Sequence, residues 1–302
     1  MKNQEKNTAL PIIMLITSMC IYGTIGLVRK YIDLSSSLVA LSRSVIGSLC
    51  LILALIIRRK KPDFATLKKN FVYLCISSLA LGFNWVLLFE AYSYLSVATA
   101  TLIYYFAPTL VIFISAPLFK DKISLKHGIC AIISLVGMIL ISGITQEEFT
   151  LSLTGILLSV GAMLLYATVV VLNRKANEVA PLERTSFQLL VSAIILLPYV
   201  LLTDKTLFYG VSSPSILLLI VLGIVHTGIA YLMYFSSIGS LKSHTVAIFS
   251  YIDPTLAVIL SFTVMQEGFS IPSLIGAILI ILSSIVSEVK FKNKTLQSPT
   301  NN

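Results

Sequence analysis

The amino-acid sequence predicts an all-α integral membrane protein whose ten transmembrane helices form two inverted five-helix repeats. Of its 302 residues, 57% are hydrophobic and only 12% are charged, and the mean hydropathy is +0.94, which is well above the values of soluble domains. Apolar runs of about 18 to 21 residues recur along the chain, and each can cross a hydrocarbon core of about 30 Å as a helix. The two halves of the sequence also resemble each other.

The apolar runs are joined by short connections, which leave no room for a separate catalytic or nucleotide-binding domain. The predicted spans are residues 11–28, 38–57, 71–91, 97–119, 127–144, 153–172, 185–203, 214–235, 246–265 and 272–289. The predicted organisation is an N-terminal tail (1–10), a first repeat (11–144), a second repeat (153–289) and a C-terminal tail (290–302).

The lysines and arginines that give the chain its net charge of +9 are distributed unevenly over the connections. With the N-terminus inside, most of them lie on cytoplasmic segments, whereas Arg29, Lys30 and Lys205 lie outside and Arg43 lies within a span. Because positive residues resist translocation, we expect a multi-pass protein of the cell membrane with both termini cytoplasmic. We therefore expect the basic residues to lie beside the headgroups of the lipid bilayer. No nucleic-acid partner is needed to explain the positive charge, and none is expected.

The internal repeat is clearest around two prolines. Residues 95–124 align without a gap to residues 241–270, and both segments contain Tyr-x-x-Pro-Thr-Leu. Earlier in each half, Tyr22 matches Tyr166. Since each half holds five spans, the second half must enter the membrane from the opposite side. Inverted halves that exchange conformations can open a midplane site to each side in turn, which is the architecture of a transporter.

These motifs resemble those of the drug/metabolite transporter superfamily and, within it, the ten-helix EamA-like transporter family. The resemblance covers nearly the whole chain and is strongest in TLIYYFAPTLVIFISAPLFKDKIS and YIDPTLAVILSFTVMQEGFSIPSLIGAILIILSSIV. Both segments have an apolar helix with a central proline and then a turn with an acid, Asp121 or Glu267; in the second half a small-residue helix containing Gly276 follows. The resemblance implies transport of small metabolites, amino acids or drug-like cations, by proton coupling or exchange. Asp253 departs from the family pattern, which usually has an uncharged residue before the proline.

Asp253 is a carboxylate within an apolar span, where an unpaired charge costs roughly 2.5 to 3.5 kcal/mol. On a helix it shares a face with Ser250, Ala257 and Ser261, so we expect it to face the protein interior. Three interpretations remain open. Asp253 carries a proton, binds a cationic solute, or is neutralised by a donor on another helix.

Two prolines predict kinks near the middle of their helices. Pro108 and Pro254 have no N–H group, so the carbonyls of Tyr104 and Ser250 lose their helical partners. Free carbonyls beside a carboxylate are tolerated in a membrane protein only around a cavity or within the protein. The two helix kinks therefore mark the expected solute site.

Three further ionisable residues within the predicted spans are candidates for a functional role. Glu90, near the outer end of its span, either pairs with Arg43 on the neighbouring helix or lines the outer part of the solute path. Arg43 is either structural or contacts an anionic group of the solute. His226 either carries protons with Asp253 and Glu90 or bonds to a neighbouring helix.

Aromatic side chains are expected to complete the site. Tyr105 and Tyr251 are the strongest candidates because each lies three residues before a repeat-related proline. Tyr104, Tyr234 and Trp85 are further candidates for substrate contact, although each residue type also serves packing. Aromatic faces beside a carboxylate would attract an organic cation.

The sequence thus favours a secondary transporter of a small organic metabolite, an amino acid, amine or drug-like cation, that works by alternating access with a proton or counter-solute. The alternatives are a non-transporting scaffold or lipid-flipping partner subunit and, less favoured, an intramembrane hydrolase. An aspartyl hydrolase would need two aspartates, and Asp253 is the one aspartate within a predicted span. No metal, cofactor or enzymatic activity is expected, and a monomer is the default because ten helices can enclose a pathway.

Overall fold

The computed structural model describes residues 9–59, 62–120, 125–141, 152–238, 240–241, 246, 249–267 and 270–288. Helices make up most of this part of the chain, and it contains no β-strand. Seven helical stretches of 21 to 26 residues are long and apolar enough to cross a membrane, and three shorter apolar helices occupy the remaining predicted spans. The predicted all-α membrane fold is therefore confirmed.

The ten spans are numbered here in chain order. Their helices are Ala9–Gly23 with Ile25–Lys30 (span 1), Ser36–Ile57 (span 2), Phe71–Ala91 (span 3), Val97–Tyr104 with Ala107–Phe119 (span 4), Leu125–Ile141 (span 5), Leu153–Lys175 (span 6), Pro181–Thr203 (span 7), Ser213–Gly223, the π-helix Ile224–Ile229 and Ala230–Ile238 (span 8), Ile252–Thr263 (span 9) and Ile271–Glu288 (span 10). A short helix, Phe64–Lys69, lies between spans 2 and 3 and was not predicted.

Some helices extend beyond the predicted apolar runs into polar sequence. Span 7 begins at Pro181 rather than at residue 185, because proline at the first helical position and Glu183 in the first turn both favour a helix start. Span 6 continues to Lys175, where basic side chains favour the helix C-terminus. Hydropathy marks the part of each helix within lipid, whereas the helix itself ends at its caps.

The even-numbered spans all begin with a serine cap. In each case the serine hydroxyl accepts a hydrogen bond from a backbone N–H in the first turn of the helix, which has no partner within the helix itself. The caps are Ser35, Ser96, Ser152, Ser212 and Ser270. In the predicted topology these five helix starts lie on the same side of the membrane, so the caps recur at one end of the bundle.

Helix packing reflects the internal repeat. Span 3 packs against span 6, and their counterparts, spans 8 and 1, pack against each other. Spans 2, 4 and 5 each contact their own counterparts, spans 7, 9 and 10. The largest group of buried apolar side chains lies among spans 2, 3, 7 and 8 and includes Leu51, Leu196 and Leu222. This pairing fits two inverted five-helix halves.

Charged side chains form contacts between connections at both ends of the bundle. At one end the Lys30 ammonium lies 3.0 Å from the Glu267 carboxylate, and the Ser35 hydroxyl donates a 2.5 Å hydrogen bond to Asp204. That bond and others lower the pKa of Asp204 to about 2, so its carboxyl is ionised at neutral pH. At the other end Lys69 lies 2.8 Å from Glu178. We call these the Lys30 end and the Lys69 end.

Spans 5 and 10 approach each other through small residues. A Cβ atom at Gly137 would lie 2.7 Å from the carbonyl oxygen of Gly276 and 2.9 Å from Ile280. One turn away, the hydroxyls of Ser134 and Ser283 are 2.6 Å apart and share a hydrogen bond. Small side chains allow two backbones to pack closely in a membrane, and here they fix the contact between the last spans of the two halves.

We predict that Gly137→Ala lowers the free energy of unfolding by about 1–3 kcal/mol, because the new methyl group must push span 10 away. Gly128→Ala on the same helix is the control, since a Cβ atom there would meet nothing within 4 Å. Thermal unfolding of the purified protein in detergent compares the two variants. Equal stability of both would contradict the close packing.

Candidate functional site

Spans 4 and 9 are interrupted at equivalent positions of the repeat. The first helix of span 4 ends at Tyr104 and the second begins at Ala107, whereas in span 9 Tyr251 is the turn residue before the helix Ile252–Thr263. Tyr105 and Tyr251 have nearly the same conformation, with φ and ψ of −74° and 3° and of −77° and −5°. The helices thus break three residues before the two prolines that predicted kinks.

Asp253 joins the two breaks. It lies in the first turn of the span 9 helix, and the Tyr105 hydroxyl of span 4 donates a hydrogen bond to its carboxylate. Span 1 reaches the same point, since a Cβ atom at Gly23 would lie 2.8 Å from the Asp253 carbonyl oxygen. Asp253 is partly accessible, and Ala257 and Ser261 on the same helix are buried. The side chain therefore lies where spans 1, 4 and 9 meet.

Tyrosines surround this carboxylate. Tyr104 packs against Tyr166 with ring centroids 5.2 Å apart and against Tyr105 at 5.8 Å, and Tyr22 packs against Tyr231 at 5.6 Å. The hydroxyls of all five lie within electrostatic range of the Asp253 carboxylate. The site therefore presents aromatic faces and hydroxyl groups from spans 1, 4, 6 and 8.

Three of these tyrosines were not among the predicted site residues. Tyr22, Tyr166 and Tyr231 lie on spans that the proline motif does not mark. The match between Tyr22 and Tyr166 in the repeat was a signal that could have identified two of them. The Tyr22 hydroxyl is buried and has no hydrogen-bond partner within the described residues, which leaves a polar group available at the centre of the site.

Span 3 positions Tyr104 through a buried amide. The Tyr104 hydroxyl lies 3.4 Å from Asn84 Oδ1, and Asn84 Nδ2 donates a 2.6 Å bond to the carbonyl of Ala162 in span 6. Asn84 is fully buried within an otherwise apolar stretch, so its polarity could have marked it in the sequence. It joins spans 3 and 6 directly beneath the aromatic cluster.

Two other predicted tyrosines lie at the edge of this cluster. Tyr251 is only 8% exposed, and its hydroxyl lies within electrostatic range of Tyr166. Tyr234 packs against Phe235 at 5.2 Å and lies within electrostatic range of Tyr22 and Tyr166. The repeat-related Tyr105 and Tyr251 therefore have different surroundings, and only Tyr105 bonds to Asp253.

Arg43 is buried, with 3% of its surface exposed. Its Nε donates a 2.8 Å hydrogen bond to Thr227 Oγ1 in span 8, and its guanidinium lies 4.1 Å from the centroid of the Trp85 ring. Neither ion pair formed by the described residues includes Arg43. It interacts electrostatically with Asp253, so the centre of the protein contains one fixed positive charge and one carboxylate.

The pairing of Glu90 with Arg43 that the sequence left open is not formed. Arg43 turns toward Thr227 and the Trp85 ring, whereas Glu90, at the end of span 3, interacts electrostatically with Arg29. The Arg29 guanidinium in turn donates to the carbonyl of Ile32 at 2.9 Å and braces the turn between spans 1 and 2. The sequence gives the depth of each residue but not the rotation of its helix, so it could not decide between these partners.

His226 joins span 8 to span 1. It lies in the π-helical turn and is buried; its Nε2 is 2.9 Å from the Thr24 hydroxyl, and its Nδ1 is 3.4 Å from the Val221 carbonyl. Both ring nitrogens thus have partners within the bundle. This geometry matches the alternative in which His226 bonds to a neighbouring helix.

A separate cavity of about 370 Å³ lies at the Lys30 end, away from Asp253. The connections between spans 1 and 2 and between spans 7 and 8 form its walls. Its lining includes Arg29, Asp33, Ser35, Thr206 and Tyr209. This cavity gives solvent a polar recess at the Lys30 end of the bundle.

We predict that Thr227→Val lowers the free energy of unfolding by about 1–3 kcal/mol, because it leaves the Arg43 Nε buried without an acceptor. Thr168→Val is the control, since the Thr168 hydroxyl bonds only to Leu164 of its own helix, at 2.9 Å. The measurement is thermal unfolding of both variants in the same detergent. A loss no larger than that of the control would mean that Thr227 does not hold the guanidinium.

Known proteins share both the sequence pattern and the fold. The model of the EamA-like transporter family matches residues 9–143 and again residues 153–288. The chain is 26% identical to YxxF, an uncharacterized transporter of Bacillus subtilis, over 97% of this chain and 93% of that protein, and 25% identical to protein PecM of Dickeya dadantii over 88% of each. A solved crystal structure with 19% identity has the same fold, with a TM-score of 0.67 over 92% of this chain and 96% of that one. The chain therefore belongs to the EamA-like transporter family of the drug/metabolite transporter superfamily, as its proline motifs indicated.

Proposed function

We propose that this membrane transporter is a secondary carrier of a small organic zwitterion, such as an amino acid, and that it works by alternating access across the cytoplasmic membrane. The observation that carries the proposal is the placement of Asp253 and Arg43 at the centre of the bundle, one on each inverted half. Its termini are cytoplasmic in this proposal, and one chain encloses the pathway as a monomer.

Asp253 is the proposed binding group for the amine. A carboxylate accepts short, charge-assisted hydrogen bonds from an ammonium group, and the rings of Tyr22, Tyr104 and Tyr166 would attract the same cation through their faces. The Tyr105 hydroxyl already bonds to one carboxylate oxygen, which holds the group in place and leaves the other oxygen for the solute.

Arg43 is the proposed binding group for an anionic end of the solute. Its Nε is engaged by Thr227, but its two terminal nitrogens make no hydrogen bond to any described residue. A guanidinium binds a carboxylate through two parallel hydrogen bonds, and the two terminal nitrogens of Arg43 can donate both. A solute that carries both charges would therefore be favoured over a simple cation.

Coupling follows from competition at Asp253. A carboxylate in this enclosed setting requires a positive partner, and either a proton or the amine of a solute can serve. If the proton and the solute amine cannot bind Asp253 together, each replaces the other there. Movement of protons in one direction then drives the solute in the opposite direction. Glu90 and His226 are further candidates for this transfer, although His226 bonds to Thr24 and Glu90 lies within electrostatic range of Arg29.

We predict that Asp253→Asn reduces ligand-induced stabilisation to about 0.4–1.4 kcal/mol at ligand concentrations that stabilise the wild type by about 2.7 kcal/mol. Amino acids at a hundred times their dissociation constant should stabilise the folded wild type by about 2.7 kcal/mol, and the variant should bind them about ten- to a hundredfold more weakly because a charged hydrogen bond is lost. The measurement is thermal unfolding with matched panels of amino acids, amines and carboxylates at two pH values.

Asp33→Asn is the matched control, because Asp33 is exposed at the Lys30 end and lies outside the central site. Stabilisation by amines alone would point to a cation carrier and remove Arg43 from the site. Unchanged affinity of Asp253→Asn for every stabilising ligand would reject Asp253 as a binding residue. Flux of the stabilising ligand into liposomes that contain only this protein then separates a carrier from a non-transporting scaffold.

A further inference from the structure

A single carboxylate joins three spans at the Lys30 end. Glu267 lies in the turn after span 9, and its side chain is 15% exposed. It accepts a 3.0 Å bond from the Lys30 ammonium at the end of span 1 and a 3.0 Å bond from the backbone N–H of Val97 at the start of span 4. The Ser261 hydroxyl of span 9 donates to it as well.

Spans 1 and 4 are also in direct contact beside this carboxylate. A Cβ atom at Gly26 would lie only 2.2 Å from Val97 Cγ1, so no larger residue fits there without separating the two helices. The Val97 N–H belongs to the first turn of a helix, where a negative charge is further favoured by the helix dipole. The Lys30 end is therefore closed by both packing and charge.

The three spans joined by Glu267 are the same three that meet at Asp253. Gly23, Tyr105 and Asp253 bring spans 1, 4 and 9 together at the centre, and Lys30, Val97 and Glu267 bring them together again at one end. A passage from Asp253 to that end between these helices requires them to separate. The contacts of Glu267 with Lys30 and Val97 oppose that separation.

The serine that corresponds to Ser261 in the other half is Ser115. It is 4% exposed, and its hydroxyl has no hydrogen-bond partner among the described residues. The counterpart of Glu267 is Asp121, which lies outside the described residues. Inverted halves that exchange conformations alternate such contacts, so a bonded Ser261 beside an unbonded Ser115 is the pattern expected of one state.

We propose that Glu267 is the gate residue of the Lys30 end: its carboxylate holds spans 1 and 4 against the turn after span 9, and this end opens when Val97 and Lys30 are released. The proposal rests on the alternating access of the proposed function. It assigns Glu267 a role in the transport cycle that is separate from solute binding at Asp253.

The test measures distances between spin labels at both ends of the purified protein. One pair of labels occupies Tyr31 and Val264, which are exposed on either side of Glu267. The other pair occupies their repeat counterparts, Lys175 and Leu118, which are exposed toward the opposite end. The labels are attached to introduced cysteines after replacement of the four native ones, Cys20, Cys50, Cys75 and Cys130.

Glu267→Gln should lengthen the first distance and shorten the second, each by more than the roughly 1–2 Å of an ordinary helix shift at an interface. Glu178→Gln is the matched control: it removes the acid of the second ion pair among the described residues and should change neither distance. Lys30→Met, which removes one of the three partners, should produce a smaller shift in the same directions.

Two results would contradict the proposed role of Glu267 as a gate residue. In one, both distances stay as in the wild type; in the other, the first distribution broadens while the second is unchanged, which is local loosening without a change of state. The experiment needs no solute, so either result leaves ligand binding at Asp253 standing. Flux of a stabilising ligand into liposomes tests alternating access separately.

Discussion

The structure depends on one constraint, that lipid offers no hydrogen bonds to a polypeptide backbone. Every peptide group within the membrane must be satisfied by the protein, which is why the spans are helices and why a break in a helix is tolerated only inside the bundle. Pro108 and Pro254 impose such breaks on spans 4 and 9, and these two spans pack against each other. Because the breaks must lie away from lipid, their polar groups lie between the two halves and form a polar centre there.

This centre is asymmetric even though the repeat is symmetric in its framework. Asp253 corresponds to Ala107 in the first half, so only one of the two breaks carries a carboxylate. Tyr105 bonds to that carboxylate, whereas its counterpart Tyr251 is buried beside Tyr166. The repeat supplies two similar conformations for the backbone, whereas the differences between the halves place the carboxylate and its tyrosine partner on one side of the centre.

Sequence alone predicted the spans and the positions of the breaks, because hydropathy and proline chemistry act along the chain. Contacts between helices were harder to predict, since they depend on how far each helix is rotated about its axis. Arg43 and Glu90 lie at compatible depths, yet Arg43 turns to Thr227 and Glu90 lies near Arg29. The π-helical turn of span 8, which places His226 and Thr227, also had no sequence signal that we recognised. The repeat itself contained one signal that was not used, the equivalence of Tyr22 and Tyr166.

The strength of each polar contact fits the part that it plays. Arg43 is buried, so breaking its bond to Thr227 would leave a desolvated charge without a partner, and such a contact favours a rigid centre. Lys30 is 44% exposed in its pair with Glu267, and exposed ion pairs contribute only about 0–1 kcal/mol because water solvates both charges once they part. A carrier needs two states of similar free energy, and a gate held by strong buried bonds would trap one of them. In the proposed gate, the exposure of Lys30 would let its contact with Glu267 close this end and still be released at little cost.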